Sequence, residues 1–217
     1  MERFFIFDNY NTWYDWNLIL TAKDITPPEP KTNLVELDGM SGSLDLSEAL
    51  TGEITYKDRT VSATFWTDYG SFKDRSLMLN EIVKCLHGKK VKIIEPDDPT
   101  HYFYGRVVVK SINNIMPYAT FTIEAQCEPW KYAVEQTTRF IRVNNNDVDV
   151  IVNNNGVKTL LPVVKINGSI NLNYNNSITT LTTGSYKITD LKFRQGTNVI
   201  GISGKGSVSF IYREADL

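Results

Sequence analysis

One stretch leaves this chain little freedom. From Tyr118 to Cys127 apolar and polar residues alternate without a fault. Ala119, Phe121, Ile123, Ala125 and Cys127 fall on one face, and Thr120, Thr122, Glu124 and Gln126 on the other. Side chains of a strand alternate with a period of two, so this is a half-buried strand with one wet face. Upstream the period is different. Phe72, Leu79, Ile82, Val83 and Leu86 recur at three- and four-residue steps, which predicts an amphipathic helix over 72–87. Gly88 follows where a left-handed residue would end it, and Lys89 and Lys90 suit the negative end of the helix dipole. Between helix and strand, Val91–Ile94 reads as a strand, Pro96-Asp97-Asp98-Pro99 as a turn, and Tyr102–Val109 as a second strand. This is an α+β unit, and no residue in it reads as a catalyst.

The flanks are β-rich. Phe4, Phe5, Phe7, Tyr10, Trp13, Tyr14 and Trp16 crowd the start, an aromatic set that suits a core layer or a subunit contact. Pro27, Pro28 and Pro30 exclude a helix or a central strand there. Val35–Leu37 is a short strand, and Asp38-Gly39-Met40-Ser41-Gly42 a turn. The G-x-x-G spacing lacks the strand–glycine–helix order of a phosphate loop. Thr55–Trp66 is a strand that puts Val61, Ala63 and Phe65 on one side. After Trp130 the composition turns rich in asparagine, as in 144–156. Strands are expected at Leu161–Ile166, Ile170–Tyr174, Ser177–Leu181, Tyr186–Phe193, Val199–Ser203 and Ser207–Arg213. Asn167-Gly168 reads as a hairpin turn. Short strands at this spacing without a helical run predict a β-sandwich.

With 217 residues and a net charge of −2, the chain has room for two domains and no basic field for nucleic acid or a membrane surface. No apolar run reaches the roughly 18 residues of a membrane span, and Met1-Glu2-Arg3-Phe4 does not begin a signal peptide. Cys85 and Cys127 both lie on apolar faces, as buried thiols do. His101 beside Asp97 and Asp98 offers three ligand types for a metal, but carboxylates bracketed by prolines are turn formers, so neither a metal nor a cofactor is expected. Lys89, Lys90, Lys92 and Arg106 read as a solvated strand edge. No nucleophile elbow or Cys–His signal is present, and the chain is not expected to be an enzyme. Tyr174 and Tyr186 are the aromatic candidates for a carbohydrate contact in the second half.

A succession of motifs resembles a known family. These are Pro28-Glu29-Pro30-Lys31, the run Gly42 to Gly52, Tyr56-Lys57-Asp58-Arg59, Leu86 to Ile94, Asp97-Asp98-Pro99, Tyr104-Gly105-Arg106-Val107 and Cys127 to Tyr132. In the second half Asn154-Asn155-Gly156, Pro162 to Gly168 and Gly196 to Ile200 join them. Together they resemble the distal tail proteins of siphophages over nearly the whole chain. Met40-Ser41 departs from the arginine-containing turn common in that family. The resemblance implies a mostly β fold: an α+β belt domain with one main helix, residues 1–133, followed by a galectin-like jelly-roll sandwich, residues 134–217. It also implies a virion structural protein at the distal end of a tail, made in the bacterial host cytoplasm. There a homo-hexamer ring would join the tail tube protein to the tail-tip hub protein, with its lysin or fibre. Tape-measure protein and DNA would pass through the ring. The same role in a tail-derived particle such as a bacteriocin stays open. So does the alternative of a host-surface glycan binder acting through residues 134–217.

Overall fold

The computed structural model describes residues 4–175 and 177–217. The chain separates into two compact units, the first running to Lys131 and the second spanning Tyr132–Asp216.

In the first unit the strands are β1 (Ile6–Phe7), β2 (Tyr10–Asn11), β3 (Ile19–Ile25), β4 (Leu34–Glu36), β5 (Ser43–Asp45) and β6 (Arg59–Thr67). Helix α1 (Phe72–Leu86) comes next, then β7 (Lys90–Glu95), β8 (Asp98–Asn114) and β9 (Ala119–Cys127). The main sheet runs β2-β1-β7-β8-β9-β6-β3. The alternation read in β9 holds: Ala119, Phe121, Ile123, Ala125 and Cys127 are all buried. β6 supplies the matching layer of Val61, Ala63 and Phe65, and its register on β9 pairs Phe65 with Phe121. The helix closes this core with Met78, Leu79, Ile82 and Leu86.

Local chemistry sets the ends of the helix. The Ser71 hydroxyl accepts from the Asp74 amide while the Asp74 carboxylate accepts from the Ser71 amide, a reciprocal cap. Gly88 takes φ +78° just beyond it. Two details depart from the hydrophobic pattern. Phe72 is 50 % exposed, and Arg75 is buried instead. Its guanidinium donates to Gly70 O at 2.9 Å, Asn114 Oδ1 at 3.2 Å and Ile115 O at 3.4 Å. The β7–β8 turn is tighter than expected, since Asp98 already pairs with Glu95.

β10 (Lys131–Ala133) leads into the second unit. There β11 (Thr137–Asn144), β12 (Val148–Asn154), β13 (Val163–Tyr174), β14 (Ser177–Lys187), β15 (Gly196–Tyr212) and β16 (Ala215–Asp216) follow. Three expectations need correction here. Asn167-Gly168 is not a hairpin turn but lies inside β13, at an irregularity between Ile166 and Ser169. The two strands expected over Val199–Arg213 are one, β15. The segment after Lys187 leaves the sheet and returns only as a bridge between Leu160 and Phe193. The first two errors took glycine as punctuation. Gly168 at φ +110° and Gly206 at φ +150° sit across from each other. A Cβ on Gly206 would overlap the Asn167 carbonyl, so these glycines serve a close strand-to-strand approach. β15 pairs with β12 over its first half and with β11 over its second. The sheet therefore bends, and both halves face one core that includes Val150, Ile200, Val208 and Phe210. The result is a β-sandwich, and with helix α1 of the first unit it makes the chain mostly β.

Candidate assembly interface

The first unit leaves two kinds of surface unfinished. One is an arm. Residues 31–55 leave the sheet between β3 and β6 and carry the small β4–β5 hairpin. Their base is pinned: Pro30 bridges Tyr56, Lys31 N donates to Thr55 O at 2.7 Å, and Lys57 N to Glu29 O at 2.8 Å. Beyond that base no residue of the arm is buried. Leu34, Leu37, Met40 and Leu44 are exposed, and Leu50 is 98 % exposed. Polar bonds shape it instead. Asn33 N donates to Ser47 Oγ at 2.8 Å, and the Ser47 amide and hydroxyl hold the Asp45 carboxyl below its usual range. An isolated two-stranded hairpin is marginal in water. This one carries Leu34, Leu37, Met40 and Leu44 exposed, with Leu50 just beyond it, an apolar surface of the kind that marks interaction sites.

The other surface is the outer edge of β3, the last strand of the sheet path. Such an edge presents backbone donors and acceptors to an incoming strand. A bulge between Leu20 and Ala22 interrupts it, and Thr21 Oγ1 donates back to Thr64 O at 3.0 Å. The sheet is strongly curled, since Lys23 on β3 reaches Glu95 and, at 2.8 Å, Asp97 at the β7–β8 turn. Burial opposes the Lys23 charge, but the two carboxylates outweigh it and raise its pKa.

These pairings decide what the acidic turn does. Asp97 is engaged by Lys23. Asp98 Oδ1 accepts from His101 Nδ1 at 2.9 Å and Asp98 Oδ2 faces Lys131 at 3.6 Å. Burial would raise the Asp98 pKa, yet the bonds from His101 and Thr100 bring it below the usual carboxylate value. The residues weighed as metal ligands are thus divided between separate partners. Among the described residues no three His, Cys, Asp or Glu side chains converge. His87 caps the helix, and its Nδ1 accepts from Val109 N at 3.2 Å.

The basic residues form a strip on the solvent face of β7 and β8, with Lys90 opposite Arg106. Lys90 pairs with Glu128 at 2.7 Å and lies 4.5 Å from the Tyr104 ring centre; Lys110 pairs with Glu124 at 2.5 Å. Cys127 is buried among apolar side chains, which pushes its thiol up to about 12. Both cysteines are free thiols, with Cys85 only half-buried.

Tyr174 and Tyr186 stand at opposite ends of the β13–β14 pair. Tyr174 aligns with Ser177 and Tyr186 with Val164, so ten strand residues, about 30 Å, separate them. The Tyr174 hydroxyl donates to Lys192 O, and that of Tyr186 to Thr182 O at 3.0 Å. The depression beside Tyr174 holds about 40 Å³, small against the roughly 300 Å³ of ligand pockets. The arm was the feature least visible in sequence. Its leucines follow neither a period of two nor one of 3.6, and that lack of an inward face was the available signal.

No family model and no curated protein matches the sequence. Solved structures do match. One superposes with a TM-score of 0.72 over 99 % of this chain and 99 % of its own, at 13 % identity. This chain has the fold of SPP1 Dit. SPP1 Dit (gp 19.1) is described as a paradigm of the hub adsorption apparatus in phages infecting Gram-positive bacteria. The match with SPP1 Dit includes both units and leaves almost nothing of either chain outside it. At this identity the likeness establishes shared architecture, and the residues at the arm and edges are this chain's own.

Proposed function

We propose that this chain is a structural, non-enzymatic adaptor at the distal end of a siphophage-type tail or a tail-derived particle. Six copies of the belt, residues 1–133, would close into a ring between tail tube and tip hub, with the sandwich, residues 134–217, attached to it. Tape-measure protein and DNA would pass through the centre without being held. The observation that carries this reading is the arm. Its exposed leucines are unsatisfied in the single chain, and the full-length likeness to SPP1 Dit, a hub adsorption apparatus protein, supports a tail assembly as the setting in which they are covered. A head-to-tail contact, in which the arm of one copy meets a different face of the next, closes into a ring when its rotation fits. The outer edge of β3 would add backbone pairing to the same contact.

Light scattering with negative-stain imaging tests it. The expected species is a six-fold ring with an open centre and a mass of about 148 kDa, six copies of 24.7 kDa. A protein that stays monomeric at high concentration, and also fails to add to purified tail tubes, refutes the proposal.

A further inference from the structure

We propose that the solvent face of the sandwich carries a binding site for a neutral, hydroxyl-rich glycan unit, centred on Gly201. The site is set by register. Asp149 on β12 pairs with Gly201 on β15, Gly201 with Asn173 on β13, and Asn173 with Ile178 on β14. Four strands thus place one row across the sheet: carboxylate, bare backbone, amide, apolar side chain. Two residues along, on the same face, Ser203 pairs with Asn171, and Asn171 with Thr180. Asp147 closes the end. The concavity they bound holds about 320 Å³, inside the size range of small-ligand sites, which starts near 300 Å³.

Gly201 is the telling residue. Gly168, Gly204 and Gly206 have positive φ and close backbone neighbours, so their side chains are excluded by the fold. Gly201 has neither constraint. A Cβ there would lie 3.3 Å from Asn173 Cβ and 3.5 Å from Asp149 Oδ1. The backbone dihedrals allow a side chain, but its Cβ would press on Asn173, so the glycine keeps the dent open.

The lining selects the ligand class. It contains carboxylates, amides, hydroxyls and no lysine or arginine. Asp147 and Asp149 repel phosphate, sulfate and carboxylate groups, while carboxylate and amide together accept from and donate to adjacent sugar hydroxyls. Thr180 Oγ1 donates to Asn171 Oδ1 at 2.8 Å and Asn171 Nδ2 contacts Ser203 Oγ at 3.4 Å, which fixes that amide before a ligand arrives. Among the described residues the side chains of Asp147, Asp149 and Asn173 make no hydrogen bond. Ile178, 70 % exposed, offers its apolar surface to the C–H face of a sugar ring. This site shares neither location nor aromatic logic with Tyr186, and it requires no ring of copies.

The test is binding of the fluorescently labelled full chain to immobilised neutral oligosaccharides of glucose, galactose, mannose and N-acetylhexosamines, with anionic glycans alongside. Neutral glycans should bind, and Gly201→Val and Asn173→Ala should each weaken that binding at least tenfold, the exposed Asn173→Ala with an unchanged melting temperature. If Gly201→Val fails to fold, the exposed Asn173→Ala still decides. No neutral signal, a signal indifferent to Asn173→Ala, or a preference for anionic glycans overturns the proposal. A calcium isotherm lost in Asp149→Asn, without glycan binding, overturns it too and gives the dent to a cation.

Discussion

Leu50→Asp separates assembly from folding. Leu50 is 98 % exposed in the single chain, so the substitution removes almost no contact within it. Surface changes of this kind stay within about 0.5 kcal/mol, a shift of no more than roughly 2 °C in melting temperature for a chain of this size. In the proposed ring the same side chain is covered by the neighbouring copy. Burying a leucine contributes about 2 kcal/mol, and a carboxylate in its place cannot recover that. A closed ring of six has six such contacts but needs only five association steps. About 2 kcal/mol lost at each contact is therefore about 2.4 kcal/mol per step, roughly a 60-fold rise in the concentration needed for rings. Light scattering across a dilution series reads this directly, with calorimetry on the same samples. Leu50→Met should assemble as the parent does. A ring that forms at the parental concentration, or a variant that melts more than about 5 °C lower, would sink the reasoning. Either result would mean that Leu50 packs within its own chain or is not covered at all.

Three further outcomes follow from the interior. Arg75→Ala should lower stability by about 3 kcal/mol in urea denaturation, since charge-assisted bonds to Gly70, Asn114 and Ile115 are lost at once. Arg75→Met keeps the buried stem and should cost less, and equal losses would refute a polar role. Gly206→Ala should destabilise by at least about 2 kcal/mol, because its φ of +150° and the Asn167 carbonyl both exclude a Cβ; a neutral result in denaturant refutes the close approach. Cys127 contributes through pH. Its folded pKa of about 12 stands above the ordinary value of 9.0. The unfolded thiol thus ionises first, and stability is complete below pH 9 and falls between pH 9 and 12. The limiting slope is about 1.4 kcal/mol per pH unit. Cys127→Ala should remove that alkaline loss, as read by unfolding at several pH values.

How much was legible depended on where the information lay. The helix was readable because Leu79, Ile82, Val83 and Leu86 repeat at its period and Gly88 marks its end, all within a single stretch. β9 was readable because its neighbours on both sides leave one face buried, so alternation survives in the sequence. Arg75 was not, since only the fold brings Asn114 and Ile115 around it. The glycines of the sandwich misled for the same reason. Whether Gly168 turns the chain or lets another strand approach depends on Gly206, which only the strand register places opposite. The dent at Gly201 is more remote still. Its row joins residues 149, 173, 178 and 201, spread far along the chain and without an aromatic side chain among them.

The arm and the basic strip belong to one argument. Residues 31–55 carry five carboxylates against one lysine. On β7 and β8 of the same unit, and just before them, the side chains of Lys89, Lys92 and Arg106 have no carboxylate partner among the described residues. An acidic arm and a basic face on one chain are complementary between copies, and a contact of two unlike patches is the head-to-tail kind that closes rings. Apolar burial by Leu50 and its neighbours would supply the affinity, and the charges the direction. Salt then acts on only one part. The Debye length falls from about 10 Å at 0.1 M to about 3 Å at 1 M, so rings should form more slowly at high salt while their leucine contacts persist. A charge swap is sharper. Lys89→Glu with Arg106→Glu should weaken assembly at least tenfold, and adding Asp38→Lys with Glu48→Lys on the arm should restore it. Recovery without rings, or no recovery in the quadruple variant, would mean that the arm docks elsewhere and that its charge only keeps exposed leucines soluble.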